Sequence, residues 1–304
     1  DRLGNHPKRS SRLLLSPTDE PGSIDAVVRL RENKWMSAGL NASNSGTKST
    51  REWLFGGYAR YYQPTAGDDE IGLMWSASNT FERYAFGLDY ERPLVFPEVL
   101  DLNFNLSHSR YDASSFAITR IDFEGHSFSA DLDLRLSPLG WENDAWRVEM
   151  FAGLNYEDVS AGNSLVASEG SGSFVSPRLG VAIKKKGGIV RSLSSLVFSG
   201  NLSGIAETQR LYLGGIDTEE RVGQVGLSHA GIIDFGKLFA GGGSSRSSGL
   251  ANRHLLFFRL EGQRGLRGVR RLPQRQFILG GSSTVRGYPE AVVAGDYGFL
   301  LSLE

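Results

Sequence analysis

The side chains able to do chemistry in this sequence are arginines and carboxylates, not nucleophiles or metal ligands. Five histidines are scattered without metal-ligand spacing, and no His-Glu-x-x-His run occurs. Cysteine is absent, which rules out disulfides and thiolate metal sites. No G-x-S-x-G elbow is present, which argues against a lipase or esterase. Gly231 to Lys237 (G-I-I-D-F-G-K) matches most of a phosphate-binding loop, but position 238 is leucine. That motif needs a serine or threonine there for magnesium and a helix after it, so the match is one of chance. The chain reads as a non-enzyme with no cofactor and no metal.

One stretch stands apart. Phe277 to Tyr288, F-I-L-G-G-S-S-T-V-R-G-Y, joins an apolar strand-like piece to Gly280 and Gly281 and sets Arg286 between Val285 and Gly287. A flexible surface loop would account for the glycines alone. Three features argue for something more. The preceding segment is dense in positive charge, with Arg267, Arg270, Arg271 and Arg275. Phe277, Ile278, Leu279, Val285 and Tyr288 are apolar and would be costly on an open loop. Gly295 and Asp296 then return the chain to a strand. The stretch reads as a plug or latch, positioned by the rest of the chain.

The positioning elements are strands. Net charge is −1, so no global pull toward nucleic acid is implied. No apolar run is long enough for a membrane helix. Ile24 to Glu32 alternates as a half-buried strand of a small periplasmic-type or soluble module, residues 1–33. From Trp35 the pattern becomes repeated alternating segments of about ten residues, the length a tilted strand needs to cross a bilayer. Leu100, Leu102, Phe104 and Leu106, for example, oppose Asp101, Asn103, Asn105 and Ser107. Eleven such segments precede Tyr297, where a twelfth begins.

A soluble β-sandwich alternates too, but its strands are shorter, about 5–6 residues. Here the apolar face carries aromatics near its ends (Trp35, Trp53, Tyr61, Tyr84, Tyr90 and Trp146), as interfacial girdles would. Carboxylates recur mid-strand on the other face, too many for a dry core and acceptable to a water-filled lumen. The links from Glu157 to Gly172 and from Ile205 to Glu220 read as long outer loops. Pro93 to Pro97, Ser137 to Asp144 and Lys184 to Gly188 read as short periplasmic turns. The three lysines 184–186 are most simply a solvated turn, with lipid phosphates as the alternative contact. The fold class is therefore all-β, a transmembrane antiparallel β-barrel over residues 34–304.

L-G-G-S-S-T-V-R-G-Y followed by G-D-Y-G-F-L-L-S-L-E resembles the sixth outer loop and next strand of the TpsB transporters. These are the two-partner (type Vb) secretion pores, in the superfamily that includes BamA. The start of the chain, N-H-P-K-R and then P-T-D-E-P-G-S-I-D-A-V-V-R-L-R-E, is similar to the end of their second POTRA domain. The resemblance implies a barrel of about sixteen strands, of which about twelve are present, preceded by the C-terminal part of a periplasmic POTRA domain. The chain reads as a fragment at both ends.

The resemblance further implies that loop 264–296 folds into the lumen and that its tip docks on the inner wall. Val285, Arg286, Gly287 and Tyr288 form the tip motif, with Phe277, Gly280, Gly281 and Asp296 as support. The family's acidic partner for the arginine lies beyond residue 304. A guanidinium suits bidentate pairing with a carboxylate, Gly287 lets the backbone approach closely, and Tyr288 adds flat area with a polar end. Asp131, Asp133, Glu149 and Glu261 are lumen-facing candidates for contacts with the arginine-rich arm. The implied function is export of an unfolded TpsA-type exoprotein without nucleotide hydrolysis. The implied surroundings are outer-membrane lipids and lipopolysaccharide, and the implied state is a monomer with no nucleic acid. A BamA-like insertase and a passive porin are the alternatives.

Overall fold

The computed structural model describes residues 9–17, 24–32, 35–44, 53–65, 67–79, 81–95, 99–114, 122–138, 145–163, 166–202, 206–213, 223–235, 254–266, 271–272, 275–280, 284–285 and 293–304. The first two strands, Arg9–Pro17 (β1) and Ile24–Glu32 (β2), form their own antiparallel ribbon. β1 has no period-2 signal in R-S-S-R-L-L-L-S-P and was not anticipated. β2 is a strand as expected but is not half-buried, because residues 25–29 are exposed on both faces. A two-stranded ribbon has no second layer to cover one side.

The remainder is one meander. Met36–Ser43 (β3), Leu54–Tyr62 (β4), Glu70–Ser78 (β5), Arg83–Val95 (β6), Leu100–Ser114 (β7) and Asp122–Leu136 (β8) each pair with the next. Trp146–Asn163 (β9), Val166–Lys185 (β10) and Val190–Gly200 (β11) continue the series. A short helix, Glu207–Tyr212 (α1), precedes Gly223–Asp234 (β12) and Leu255–Gly265 (β13). Phe277–Leu279 (β14) and Val293–Gly295 (β15) pair only with each other, and Gly298–Leu303 (β16) then pairs with β13. The large sheet thus has twelve strands, every neighbour antiparallel.

The two faces of this sheet invert the pattern of a soluble protein. Leu40 is 85% exposed and Leu179 61%, whereas Asp133 is 3% exposed and Glu149 7%. One in-register row runs Tyr61, Ile71, Tyr90, Phe104, Leu132, Leu154 and Pro177 from β4 to β10. The adjacent row on the opposite face runs Arg60, Gly72, Asp89, Asn105, Asp131, Asn155 and Ser176. Apolar side chains facing out over a polar interior are the arrangement a bilayer selects. At the end where β3 begins, Trp35 meets Tyr61 edge-on at 6.0 Å and Lys185 lies 5.1 Å over Trp146. At the other end Trp53 stacks on Phe55. These pairs sit where interfacial girdles belong.

Two links differ from expectation. The stretch Glu157 to Gly172 is not a loop, since β9 runs on to Asn163 and β10 resumes at Val166. At about 3.3 Å per residue, β9 is on the order of 60 Å long, well beyond an apolar band of about 25 Å. Cross-strand bonding continues above the bilayer, so the hairpin stands out from the rim. The link Ile205 to Glu220 carries α1, a helix too short to leave a periodic signal. In addition, β12 and β13 are joined by the long link 235–254, on the side where the other links are short.

Candidate functional site

The inner wall is organised by charge pairs. Arg178 on β10 forks onto Asp133 of β8 (Nη2–Oδ2 2.6 Å, Nε–Oδ1 3.1 Å) and also holds Asp131 (Nη1–Oδ1 2.9 Å). Asn155 donates to Asp131 from the strand between. Glu149 accepts from Lys184 at 2.9 Å and faces Arg147 at 3.0 Å. Arg60 bridges Glu70 and Asp89, each at 3.3 Å, and Arg259 pairs with Glu261 at 2.6 Å. The four carboxylates expected to receive the arginine-rich arm therefore do face inward, but each is engaged by a basic residue of the wall. The described arm arginines, Arg271 and Arg275, make their contacts elsewhere, and Arg267 and Arg270 lie outside the described residues. Strand alternation gives the face of a carboxylate and says nothing of its height or of which cation two strands away reaches it first.

The arm leaves β13 at Leu266, whose amide donates to the carbonyl of Gly223. Asp296 fixes the root of the loop by accepting from the Arg271 amide (2.8 Å) and from Gln276 Nε2 (3.2 Å). Arg271 is 3% exposed, with its Nη1 donating to Gln224 Oε1 at 2.9 Å. Burial pulls the Arg271 guanidinium below its ordinary pKa, opposed by Asp296 and reinforced by Arg275. Phe277 packs its ring on Gly298 so closely that a Cβ there would collide with it.

Among the described residues of the arm, Arg275 makes the ion pair. Its Nη2 lies 2.9 Å from Glu157 Oε2, its Nη1 donates to Ser176 Oγ at 3.1 Å, and its guanidinium carbon sits 4.2 Å over the Phe174 ring. The carbonyl of Arg275 accepts from Gln263 Nε2 at 2.9 Å. Beside this pair lies a hydrophobic cluster of Val159, Phe174, Leu213 and Leu272, each 3–6% exposed. Leu213 follows α1, which is tied to β10 by Gln209 Oε1 accepting from the Ser171 amide. Gly170 is what lets α1 approach, because a Cβ there would lie 2.5 Å from the Leu213 amide nitrogen.

Beyond the β14–β15 ribbon the chain turns at Gly280, whose φ of 122° suits glycine. Thr284 Oγ1 accepts from the Gly280 amide at 2.8 Å and donates to its carbonyl at 2.7 Å. Thr284 and Val285 then line a cavity of about 970 Å³ together with Arg191, Leu193, Phe257 and Arg259 of the wall. Gly281, Arg286, Gly287 and Tyr288 lie outside the described residues.

Of the expected site residues, the structure thus places Phe277 and Asp296 at the root of the loop, Gly280 in the turn closed by Thr284, and Val285 at the wall cavity. Arg275 was visible as one of four arm arginines, but Glu157, Phe174, Leu213 and Leu272 carried no motif, and neither did Thr284. The chance phosphate-loop match is interior strand from Gly231 to Asp234. His126 and His229 hydrogen-bond Ser160 and Ser194 directly across the ladder, each at 2.7 Å, and no metal-binding cluster occurs among the described residues.

No protein-family model matches the chain, and no curated protein matches it. Solved structures do. CdiB from Escherichia coli superposes with a TM-score of 0.76 at 16% identity, over 99% of this chain and 53% of that one. CdiB from Acinetobacter baumannii gives 0.69 at 14% identity, over 99% and 52%. BamA from Haemophilus ducreyi lacking POTRA domains 1–3 gives 0.52 at 13% identity, over 96% and 53%. The chain spans about half the length of these structures, and its fold is that of the outer-membrane β-barrels CdiB and BamA.

Proposed function

We propose that this chain is the barrel of an outer-membrane transporter of the two-partner type, which exports an unfolded TpsA-type exoprotein through its lumen without nucleotide hydrolysis. The observation that carries the reading is the inner face. It is lined by ionised pairs such as Arg178 with Asp131 and Asp133, and a loop rooted on that face reaches a wall cavity at Thr284 and Val285. A polar, hydrated wall with few apolar footholds lets an extended polypeptide slide without sticking. The driving force would come from outside the pore, as the partner folds after emerging. In this reading residues 1–33 belong to a POTRA domain in the periplasm, which would capture the partner by adding its strand to a sheet edge. The outward apolar face would meet outer-membrane lipid and lipopolysaccharide, and the barrel would act as a monomer.

In this proposal Arg286 is the tip residue that would dock on the wall together with Val285, Gly287 and Tyr288, and Gly281 would give the turn its freedom. The test is secretion of the partner by the whole protein carrying Arg286→Ala. Secretion should fall and single-channel behaviour change while the barrel still assembles. Unchanged secretion would sink the role of the tip. The higher TM-scores to CdiB than to BamA favour transport over an insertase. An insertase would instead show its defect in the assembly of other barrels.

A further inference from the structure

We propose that Arg275 is a positioning residue and that the arm of the loop and helix α1 form one latch at the outer end of the β9–β13 wall, held on the β9–β10 hairpin by the pair of Arg275 with Glu157. The inference rests on the transport reading for its purpose and on geometry for its existence.

The geometry is that of a bridge. Arg271 is bound to Gln224 at the top of β12, and the Arg275 carbonyl takes a hydrogen bond from Gln263 at the top of β13. The Arg275 side chain reaches away from those strands to Glu157 and Ser176 on β9 and β10. The arm therefore spans from one part of the inner wall to another. Its far end is closed by Leu272, which packs with Leu213 on Val159 and Phe174. Loop and helix share that cluster, so neither can lift without exposing the other's leucine.

The pair is suited to release as well as to holding. Arg275 and Glu157 keep side-chain exposures of 18% and 23%, so water reaches the charges as soon as the arm shifts. A fully buried pair would resist opening far more strongly. The contact on Phe174 makes the ion pair and the apolar cluster one unit, because the same ring serves both. This latch lies at the root of the loop, apart from the tip at Thr284 and Val285, so the loop has an anchor that does not depend on Arg286.

The experiment uses the whole protein in lipid bilayers, as wild type, Glu157→Gln, Arg275→Met and the double variant. Hydrogen exchange at residues 207–213 should quicken by about tenfold in each single variant, the scale expected when a half-screened pair loses one partner. The double variant should be no faster than either single one, since the pair acts as a unit. Planar-bilayer recordings should show longer open times in the same variants. Unchanged exchange in α1, or single effects that multiply in the double variant, would overturn the latch. Altered exchange with no current and no secretion in any variant would leave the latch standing and overturn the transport reading.

Discussion

Asp133 and Arg178 sit two strands apart and meet over the backbone of Gly153, which lies between them in the same row of the ladder. Arg60 and Asp89 do the same across Gly72. A side chain on the middle strand would stand up between the partners, so the missing Cβ is what allows a charge pair to lie flat against the wall. A Cβ on Gly153 would run into the Asp133 carboxylate, and one on Gly72 into Asp89. Gly153→Ala is therefore expected to destabilise the barrel by about 1–3 kcal/mol, the usual scale of overpacking. Gly226→Ala, where nothing lies within 4 Å, should be close to neutral. Unfolding by denaturant in lipid vesicles compares the two.

Arg178 holds two carboxylates whose side chains are 18% and 5% exposed. Arg178→Ala would leave both facing each other without a cation, at a cost of about 3–5 kcal/mol. Arg178→Lys should recover only part of this, because an ammonium cannot fork onto Asp133 while reaching Asp131. Combining Arg178→Ala with Asp131→Asn and Asp133→Asn should recover most of it by removing the stranded charge. The same unfolding measurement reads all three.

The strand series was legible because a membrane barrel writes its two faces in period two, and nine of its strands could be counted from alternation alone before the glycine-rich β12 blurred it. The loop was legible through Gly280, whose positive φ needs its residue type, and through the apolar Phe277. The Glu157–Arg275 contact was not, because its partners lie 118 residues apart and each looks like an ordinary polar strand or loop residue. Nor was the height of the β9–β10 hairpin. Its upper part, from Glu157 to Gly172, is rich in glycine and serine and reads as loop, yet cross-strand hydrogen bonding keeps it extended.

The turn between β4 and β5 predicts a pH effect. The Asp69 carboxylate is fully buried and accepts from the Thr65 amide and hydroxyl and from the Tyr90 hydroxyl at 2.9–3.1 Å. Burial works to raise its pKa, but these donors outweigh it and hold the group below the ordinary aspartate value of 3.8. A carboxyl whose pKa is lowered by folding contributes stability above its unfolded pKa and loses it as pH falls through the folded one. Asp69→Asn should thus weaken the turn by about 1–2 kcal/mol at neutral pH. The difference should shrink once the pH drops below 3.8 and vanish below the folded value. Exchange of the Gln63 amide, which donates to the Asp69 carbonyl, reports it.

Thr284 offers the sharpest test of how the loop tip is built. Its hydroxyl both accepts from and donates to the backbone of Gly280, closing the turn in which Gly280 holds φ at 122°. Thr284→Val keeps the shape and the branched stem but removes both bonds, leaving the Gly280 amide without that partner, at about 1–3 kcal/mol. Thr284→Ser keeps the hydroxyl and should stay close to wild type. Gly280→Ala strains the backbone instead and should be at least as damaging as Thr284→Val. All of this is local to 280–285, so barrel unfolding should be unaffected while the loop becomes easier to cleave. Trypsin digestion of the folded barrel, followed at the loop arginines, is expected to rank Gly280→Ala and Thr284→Val above Thr284→Ser and wild type. Equal cleavage of Thr284→Val and Thr284→Ser would show that the hydroxyl does not hold the turn.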